Sequence, residues 1–497
     1  MLIKNSFDPS PFVGRGKELE LLNQLCDSSK AELLILYGRR RVGKTRLLSY
    51  WLNTIQPRAL FWNAEPSSQL DQLRSFSQTI ANFRDPDSPP PTMFTYASWE
   101  QAFRELAQLA HEERLIVILD EFTYLLASDP AIAGTLQNLW DHVLKNANLF
   151  LCLSGSHIGM MERHILAYQA PLYGRATALL RLLPLWFGNT AQYFPKYSPE
   201  QRVTVYAMAG GIPAYWELFD PDMSLDANIR QQFLTPNRLL HDEPSLLLQD
   251  FISDTHNYVG ILRALAFGYR TPKEIAEFTG LPETHIPAYL SKLIDTGFIQ
   301  RRIPVTALPS SRMGRHHIVD PFLRFYYRFL SQRQPQLAIG VSDKAMTEMN
   351  RHLSNFIGAH TWEELCREWL LRINDDEHLP FYPDQVGSAW TRKSQVDVVG
   401  YNSMEKTLIL GECKWRSRAA GQNVLTELMA KTSEIVPKSG SWRIYYLGFS
   451  RSGWTKNAHA FADKFSDAGY QGENWDAVGM TLLDLERVDW ELAAWTV

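Results

Sequence analysis

Residues Leu33–Tyr50 read LLILYGRRRVGKTRLLSY. An apolar run leads into a basic, glycine-flanked loop, and TRLLSYWL beyond it has helical spacing. Gly38 and Gly43-Lys44-Thr45 fit G-x-x-x-x-G-K-[ST], the loop that cradles phosphates between a strand and a helix. The chemistry explains the spacing. A triphosphate needs many donors, and the backbone N–H groups of such a loop point inward while the next helix presents its positive N-terminus. Gly38 and Gly43 permit close backbone approach and positive φ. The binding stretch is therefore Gly38, Arg39, Arg40, Arg41, Val42, Gly43, Lys44, Thr45 and Arg46. Lys44 is placed for the β- and γ-phosphates, and Thr45 can offer its hydroxyl oxygen to Mg²⁺.

Further along, Ala59–Asn63 (ALFWN) reads as a second strand, Leu70–Phe83 and Trp99–Glu113 as helices, and DPDSPPPT between them as a loop. Leu115–Phe122, LIVILDEF, suits a strand buried on both faces of a parallel sheet. At its tip Asp120 can hold the water shell of Mg²⁺, and Glu121 can orient or deprotonate an attacking water. Leu149–Ser154 (LFLCLS) is another buried strand, ending in Ser154-Gly155-Ser156. A hydroxyl there can sense the γ-phosphate, with Ser156 the first choice and Ser154 the second; a turn or N-cap serine is the structural alternative. In the following PLYGR, Arg175 can stabilise transition-state charge, in cis or from a neighbouring copy in a homo-oligomer; a surface arginine is the alternative. Upstream, Arg15 of FVGRGKELELL precedes a short amphipathic helix, and this loop either covers a nucleotide base or simply caps the domain. Alternating strands and helices indicate an α/β parallel sheet with its ligand at the strand C-terminal edge.

The whole chain has 497 residues, a net charge of −4 and ordinary apolar and charged fractions, so several soluble domains are expected and an overall basic nucleic-acid binder is excluded. The four cysteines, Cys26, Cys152, Cys366 and Cys413, show no metal-ligand spacing or disulfide framework. MLIKNSFDPSPF lacks an apolar leader core and no run is long enough to span a membrane; the reading is a cytoplasmic protein without a membrane partner.

Taken in order, FVGRGKELELL, GRRRVGKT, LIVILDEF, LSGS, PLYGR and GGIP resemble the archaeal-type ATPases of the STAND branch of the AAA+ superfamily. The resemblance covers about the first half of the chain. It implies ATP as ligand, an α/β P-loop core, a helical lid, and a proline near the adenine, here Pro213. Similar proteins often carry Glu after the first G-R, whereas this chain has Gly16.

Beyond the lid, Asn257–Val305 reads as helix, turn, helix and basic hairpin, a winged helix-turn-helix pattern. Thr271 is the expected N-cap, with Pro272 at the first helical position. Arg301, Arg302, Arg312, Arg315, His316 and His317 lie in or near the wing and can contact DNA phosphates; a regulatory unit packed on the ATPase is the alternative. The aromatic stretch DPFLRFYYRF resembles the start of a domain of unknown function found behind these ATPases, and its stripe reads as core.

In the last part, Ser394–Tyr401 and Thr407–Trp415 are strands joined by a polar turn. If Asn402 faces Thr407, Asp397 faces Glu412, and alternation puts Glu412 and Lys414 on one face with Cys413 on the other. Asp397, Glu412 and Lys414 resemble the PD-(D/E)XK nuclease signature, with Val396 in place of its proline. Glu363, or else Glu364, would be the acid from the preceding helix. The carboxylates can hold Mg²⁺ through oxygen, and Lys414 can position water or stabilise charge. The expected organisation is 1–188 ATPase core, 189–256 helical lid, 257–330 winged helix and 331–497 restriction-endonuclease-like α/β domain. The expected function is a Mg²⁺-dependent ATPase switch acting on DNA; the alternative is an ATP-driven regulatory or scaffold protein whose C-terminal domain does not cut.

Overall fold

A computed structural model describes residues 12–249, 251–252, 254–373, 379–465 and 469–496. The opening stretch 1–11, read above as lacking a leader, lies outside these residues. The chain forms two compact units, residues 1–185 with 212–217, and residues 186–211 with 218–497.

The first unit is built on a five-stranded sheet: β1 (Glu32–Tyr37), β2 (Ala59–Asn63), β3 (Leu115–Asp120), β4 (Leu149–Gly155) and β5 (Ala178–Arg181), in the order β2-β3-β4-β1-β5. All pairings are parallel. The central strands are apolar throughout because both faces are covered. Leu33 and Ile35 enter one core with Val117, Leu151 and Phe103, while Leu34 and Leu36 enter another with Leu47, Trp51 and Phe150. This buries the strands and leaves their C-terminal tips, Asp120 and Ser154 among them, on one edge.

In the second unit, short helices between Asn189 and Gln249, Pro213–Trp216 of the first unit excepted, precede three helices, His256–Ala266, Pro272–Thr279 and Ile286–Asp295. An antiparallel hairpin follows, β6 (Ile299–Arg302) with β7 (Arg315–Ile318). Thr271 caps its helix as expected, in a reciprocal capping box with Glu274, and Gly280 ends it at φ 73°. A mixed sheet completes the unit: β8 (Gln385–Trp390), β9 (Gln395–Asn402), β10 (Thr407–Lys414), β11 (Trp442–Ser450) and β12 (Trp475–Asp484), in the order β12-β11-β10-β9-β8. β8, β9 and β10 are antiparallel; β10, β11 and β12 are parallel. Asn402 does pair with Thr407, and Gly411 with Val398, which sets Glu412 opposite Asp397. The DPFLRFYYRF aromatics are core, as their spacing indicated: Phe322, Phe325 and Tyr327 are buried. Among the described residues no helix is long and apolar enough to cross a membrane.

Candidate functional site

At the tip of β1 the chain turns at Gly38, where a Cβ would lie 2.5 Å from the Leu182 carbonyl oxygen; only glycine fits. Gly43, at φ 96°, is the left-handed residue that launches the helix Lys44–Ile55. Lys44 is buried, and its Nζ donates to the carbonyls of Gly38 at 3.1 Å and Arg39 at 3.4 Å. Burial lowers its pKa, and the nearby carboxylates of Glu121 and Asp120 oppose that shift. Thr45 Oγ1 donates to Asp120 Oδ2 at 2.5 Å. Asp120 is fully buried and also accepts from the Glu121 N–H at 3.0 Å. A hydroxyl and a carboxylate in contact form an oxygen-only donor pair, which fits a hard cation such as Mg²⁺.

Glu121 takes the left-handed conformation at φ 50° and accepts a 2.6 Å hydrogen bond from Ser156 Oγ. Ser156 is thus the serine that meets the acid, whereas the Ser154 hydroxyl is buried without a partner. Gly155 between them is forced: a Cβ there would lie 2.6 Å from Met161 Sδ.

The segment Ile212–Glu217 belongs to this unit, although the sequence places it within the lid. Pro213 Cγ lies 3.8 Å from the Cβ position of Gly43, the Tyr215 hydroxyl accepts from Arg39 at 3.4 Å, and Glu217 pairs with Arg46. Three of its residues therefore contact the loop, with Pro213 beside Gly43.

Two arginines of this unit are engaged with the chain itself. Arg15, ahead of the first helix, is the first. Its guanidinium is buried and donates to the carbonyls of Val42 at 3.1 Å and Leu183 at 2.9 Å, with Glu18 as its ion pair at 3.0 Å. It buttresses the phosphate loop from its own backbone side; nothing in a lone arginine ahead of a helix signals that. Arg175 is also engaged elsewhere. It grips Asp141 through two nitrogens, at 3.0 and 2.8 Å, and donates to the Pro171 carbonyl at 2.9 Å. That is a local brace between its loop and the helix Ile132–His142, not a group extended toward phosphates.

The second cluster lies on β9, β10 and the helix Glu363–Arg372. Asp397 Oδ2 accepts from the Cys413 N–H at 3.1 Å. Glu412 is held by two lysines, Lys414 at 2.5 Å and Lys431 at 2.8 Å; the second, from the helix Gln422–Ile435, has no local sequence signal. Burial and the Glu412 charge raise the Asp397 pKa. Burial, and then Asp397, push Glu363 up to about 8, although Arg367 donates to it at 3.4 Å. Glu363 is therefore the helix acid that senses Asp397. Glu364 is taken by Arg302 at 3.0 Å and Arg324 at 2.8 Å, which hold it well below the usual carboxylate range despite its burial. One expectation is corrected here: among the described residues no three His, Cys, Asp or Glu side chains gather closely enough to hold a metal ion. Glu363, Asp397 and Glu412 are electrostatic neighbours, but two lysines occupy Glu412, Arg367 pairs with Glu363, and Asp397 accepts from the Cys413 N–H. Asp397 and Glu412 remain an oxygen donor pair that fits a hard cation only if Lys414 or Lys431 gives way.

The wing is corrected as well. Arg302 is bound to Glu364, Arg315 donates to Gln395 at 2.9 Å and stacks on Trp390, and His316 is buried against the Arg270 carbonyl. Burial and neighbouring arginines keep His317 unprotonated. Arg302, Arg315 and His317 line a cleft against the C-terminal sheet and its helix, and His316 is turned into its own helical unit. Arg301 and Arg312 are the exposed pair.

Residues 12–219 match the family described as an ATPase domain predominantly from Archaea, and residues 326–426 match one described as archaeal and bacterial proteins of unknown function. The chain is 31% identical over 408 residues to an uncharacterized protein of Methanocaldococcus jannaschii, covering 82% of this chain and 88% of that one. An uncharacterized ATP-binding protein of the same organism is 56% identical over 41 residues, 8% of this chain and 70% of its own. Among solved structures, a Walker-type ATPase of Pyrococcus abyssi superposes with a TM-score of 0.50 at 21% identity, covering 63% of this chain and 95% of that one. The ORC2 protein of Aeropyrum pernix gives a TM-score of 0.41 at 16% identity, over 70% and 97%. With the phosphate loop, its acidic strand tip and the parallel sheet all in place, the chain belongs to the family of archaeal P-loop ATPases that carry a C-terminal domain of unknown function.

Proposed function

We propose that this ATPase hydrolyses Mg²⁺-bound ATP as a switch, and that its C-terminal carboxylate–lysine cluster acts on DNA phosphodiesters. The observation that carries the first part is the contact of Thr45 with Asp120 beside buried Lys44. Mg²⁺ bound there would neutralise the charge on the phosphates. Thr45 and Asp120 would hold it, and Lys44 would leave the Gly38 and Arg39 carbonyls for the phosphates. Glu121 is the general base, and Ser156 holds its carboxylate until the γ-phosphate draws the hydroxyl away. Pro213 flanks the adenine. Arg175 could reach a phosphate only by releasing Asp141.

For the second part, Asp397 and Glu412 would hold the metal, Lys414 would turn from Glu412 to the attacked phosphate or its water, and Glu363 would take up a proton near Asp397. Exposed Arg301 and Arg312 are the wing residues available to a DNA backbone. The grip of two lysines on Glu412 favours a second reading, a C-terminal domain that binds without cutting.

Two variants test the proposal. Glu121→Gln should retain ATP binding and slow hydrolysis by roughly 100-fold or more; unchanged turnover excludes Glu121 as base. Asp397→Asn should abolish Mg²⁺- or Mn²⁺-dependent DNA cleavage and spare ATP hydrolysis. Wild-type protein that cuts no DNA with either metal, with or without ATP, leaves the second reading standing.

A further inference from the structure

Between the wing and the edge of the C-terminal sheet lies a narrow cleft lined by Arg270, Arg302, Arg315, Arg367, Glu363 and Trp390, among others. Its charge does not balance. Four guanidiniums line it against two carboxylates among the described lining residues, Glu363 and Glu364. Glu364 is consumed by Arg302 and Arg324, and Glu363 is shared with Arg367. Glu274, the other acid near Arg315, is turned into the capping box of its own helix.

That leaves Arg270 unanswered. Its side chain is half-buried on the cleft wall, and its guanidinium has no hydrogen-bond acceptor among the described residues. Its ionic surroundings are Glu363 and three further arginines. A desolvated cation among like charges is costly unless an anion completes the site. The two histidines on the cleft wall, His317 and His360, are kept neutral by burial and by these arginines, so they add no charge of their own.

The cleft does not stand alone. Arg302, Arg367 and Ser388 are shared with a wider groove of about 600 Å³, whose walls include Ile303, Pro304, Leu308 and Tyr401. A charged pocket opening into a larger, mostly apolar groove matches one phosphate with its sugar and base better than a free inorganic ion. On the opposite side the cleft approaches Asp397. Gln395, which holds Arg315, and Asp397 are two residues apart on β9 and face the same way, about 6.6 Å along the strand. Arg367 joins the two places directly, donating to the Asp397 carbonyl at 2.7 Å and to Glu363 at 3.4 Å. That offset is comparable with the spacing of successive phosphates on one strand.

We infer that this cleft is a phosphate-binding subsite for a nucleic-acid strand, with Arg270 and Arg315 as its primary ligands, a nucleoside in the adjoining groove and the neighbouring phosphodiester at Asp397. The inference rests on the proposed action of the C-terminal cluster on DNA and names where its strand is held. The wing thereby contributes through its inner face, to a strand, and not through its outer face alone.

The test uses the full chain carrying Asp397→Asn, so that binding is read without cleavage. Anisotropy of a short, labelled single-stranded DNA oligonucleotide is followed over a salt series, with inorganic phosphate as competitor. Adding Arg270→Gln and Arg315→Gln should weaken binding about tenfold or more and reduce the logarithmic salt slope by roughly 0.7, the value for the one phosphate no longer neutralised. Melting temperature and ATP turnover should match the parent. Arg270→Lys should recover part of the affinity, since it restores the charge but not the fork. Equal affinity and slope in parent and double variant overturn the inference, as does a parent that binds no oligonucleotide. Full competition by inorganic phosphate at concentrations that leave ionic strength unchanged would make the site one for a free anion, and overturn it equally. The broader reading fails separately: a chain with Asp397 intact that binds through these arginines but cuts nothing keeps the subsite and loses the nuclease.

Discussion

Replacing Arg15 by Met keeps much of the side chain's apolar volume and removes its donors. In the native unit one nitrogen serves two carbonyls, buried Val42 at 3.1 Å and partly buried Leu183 at 2.9 Å, from a residue only 7% exposed. A buried polar group left without its partner costs about 1–3 kcal/mol, so two carbonyls place the loss near 3 kcal/mol. The Glu18 pair adds little, because it lies at the rim. For a unit of this size the loss should lower the melting temperature by roughly 6–12 °C. Val42 belongs to the phosphate loop, so the same change should loosen that loop and raise the KM for ATP, with a smaller effect on kcat. Saturating ATP should recover part of the melting shift, because the ligand binds only the folded loop. Differential scanning fluorimetry with and without ATP, beside a steady-state ATPase assay, measures all three. Arg15→Lys should fall between, since one ammonium cannot reach both carbonyls with a fork's geometry. A Met variant that melts with wild type and keeps its KM would refute the buttress.

Arg175→Ala should leave kcat unchanged and lower stability by about 0.5–1 kcal/mol, the value of a partly exposed pair with Asp141; a large fall in kcat with stability intact would return the residue to the phosphates. Thr271→Ala should cost about 1 kcal/mol in urea unfolding by opening the capping box with Glu274. Burial raises Glu368 to about 7, with Arg372 opposing, so its protonated form is favoured on folding and its contribution to stability is present below the unfolded value near 4.5 and lost as pH rises to about 7. Glu368→Gln should therefore gain stability on wild type between pH 5 and pH 8, and parallel pH profiles would refute the assignment.

The phosphate loop and the acidic strand were legible because their signals are local. A strand buried on both faces must be apolar at every position, and LIVILD is, up to the acid at its tip; a loop that binds phosphate must carry glycine where Cβ has no room, and Gly38 does. The register of β9 and β10 was equally readable, since a short turn leaves only one pairing once Asn402 faces Thr407. The edge strands were not. β5, ALLR, is short and half exposed, and β8, QVGSAW, carries Gly and Ser and shifts register between Gly387 and Ala389, so neither has the β-branched or alternating pattern that announces a strand. The helices Asp343–Ile357 and Leu485–Ala494 were passed over because their apolar positions are interspersed with charge.

The wing shows where local reading fails for a physical reason. A basic hairpin in isolation is a solvated surface, and solvated arginines invite phosphates. In the folded second unit Arg302 and Arg324 meet at Glu364, 62 and 40 residues from them in sequence, and Arg324 is almost entirely buried. Charges withdrawn from water in this way are not available to swing out: removing one partner from such a pair costs about 3–5 kcal/mol, more than one phosphate contact returns. Arg302 and Arg324 are therefore committed to Glu364. Exposed Arg301 and Arg312, and the cleft where four lining arginines face two lining acids, are the places on this hairpin left open to an anion among the described residues. Arg270 marks the cleft, because among the described residues its guanidinium has no hydrogen-bond acceptor and the acid nearest it in charge, Glu363, is shared with Arg367.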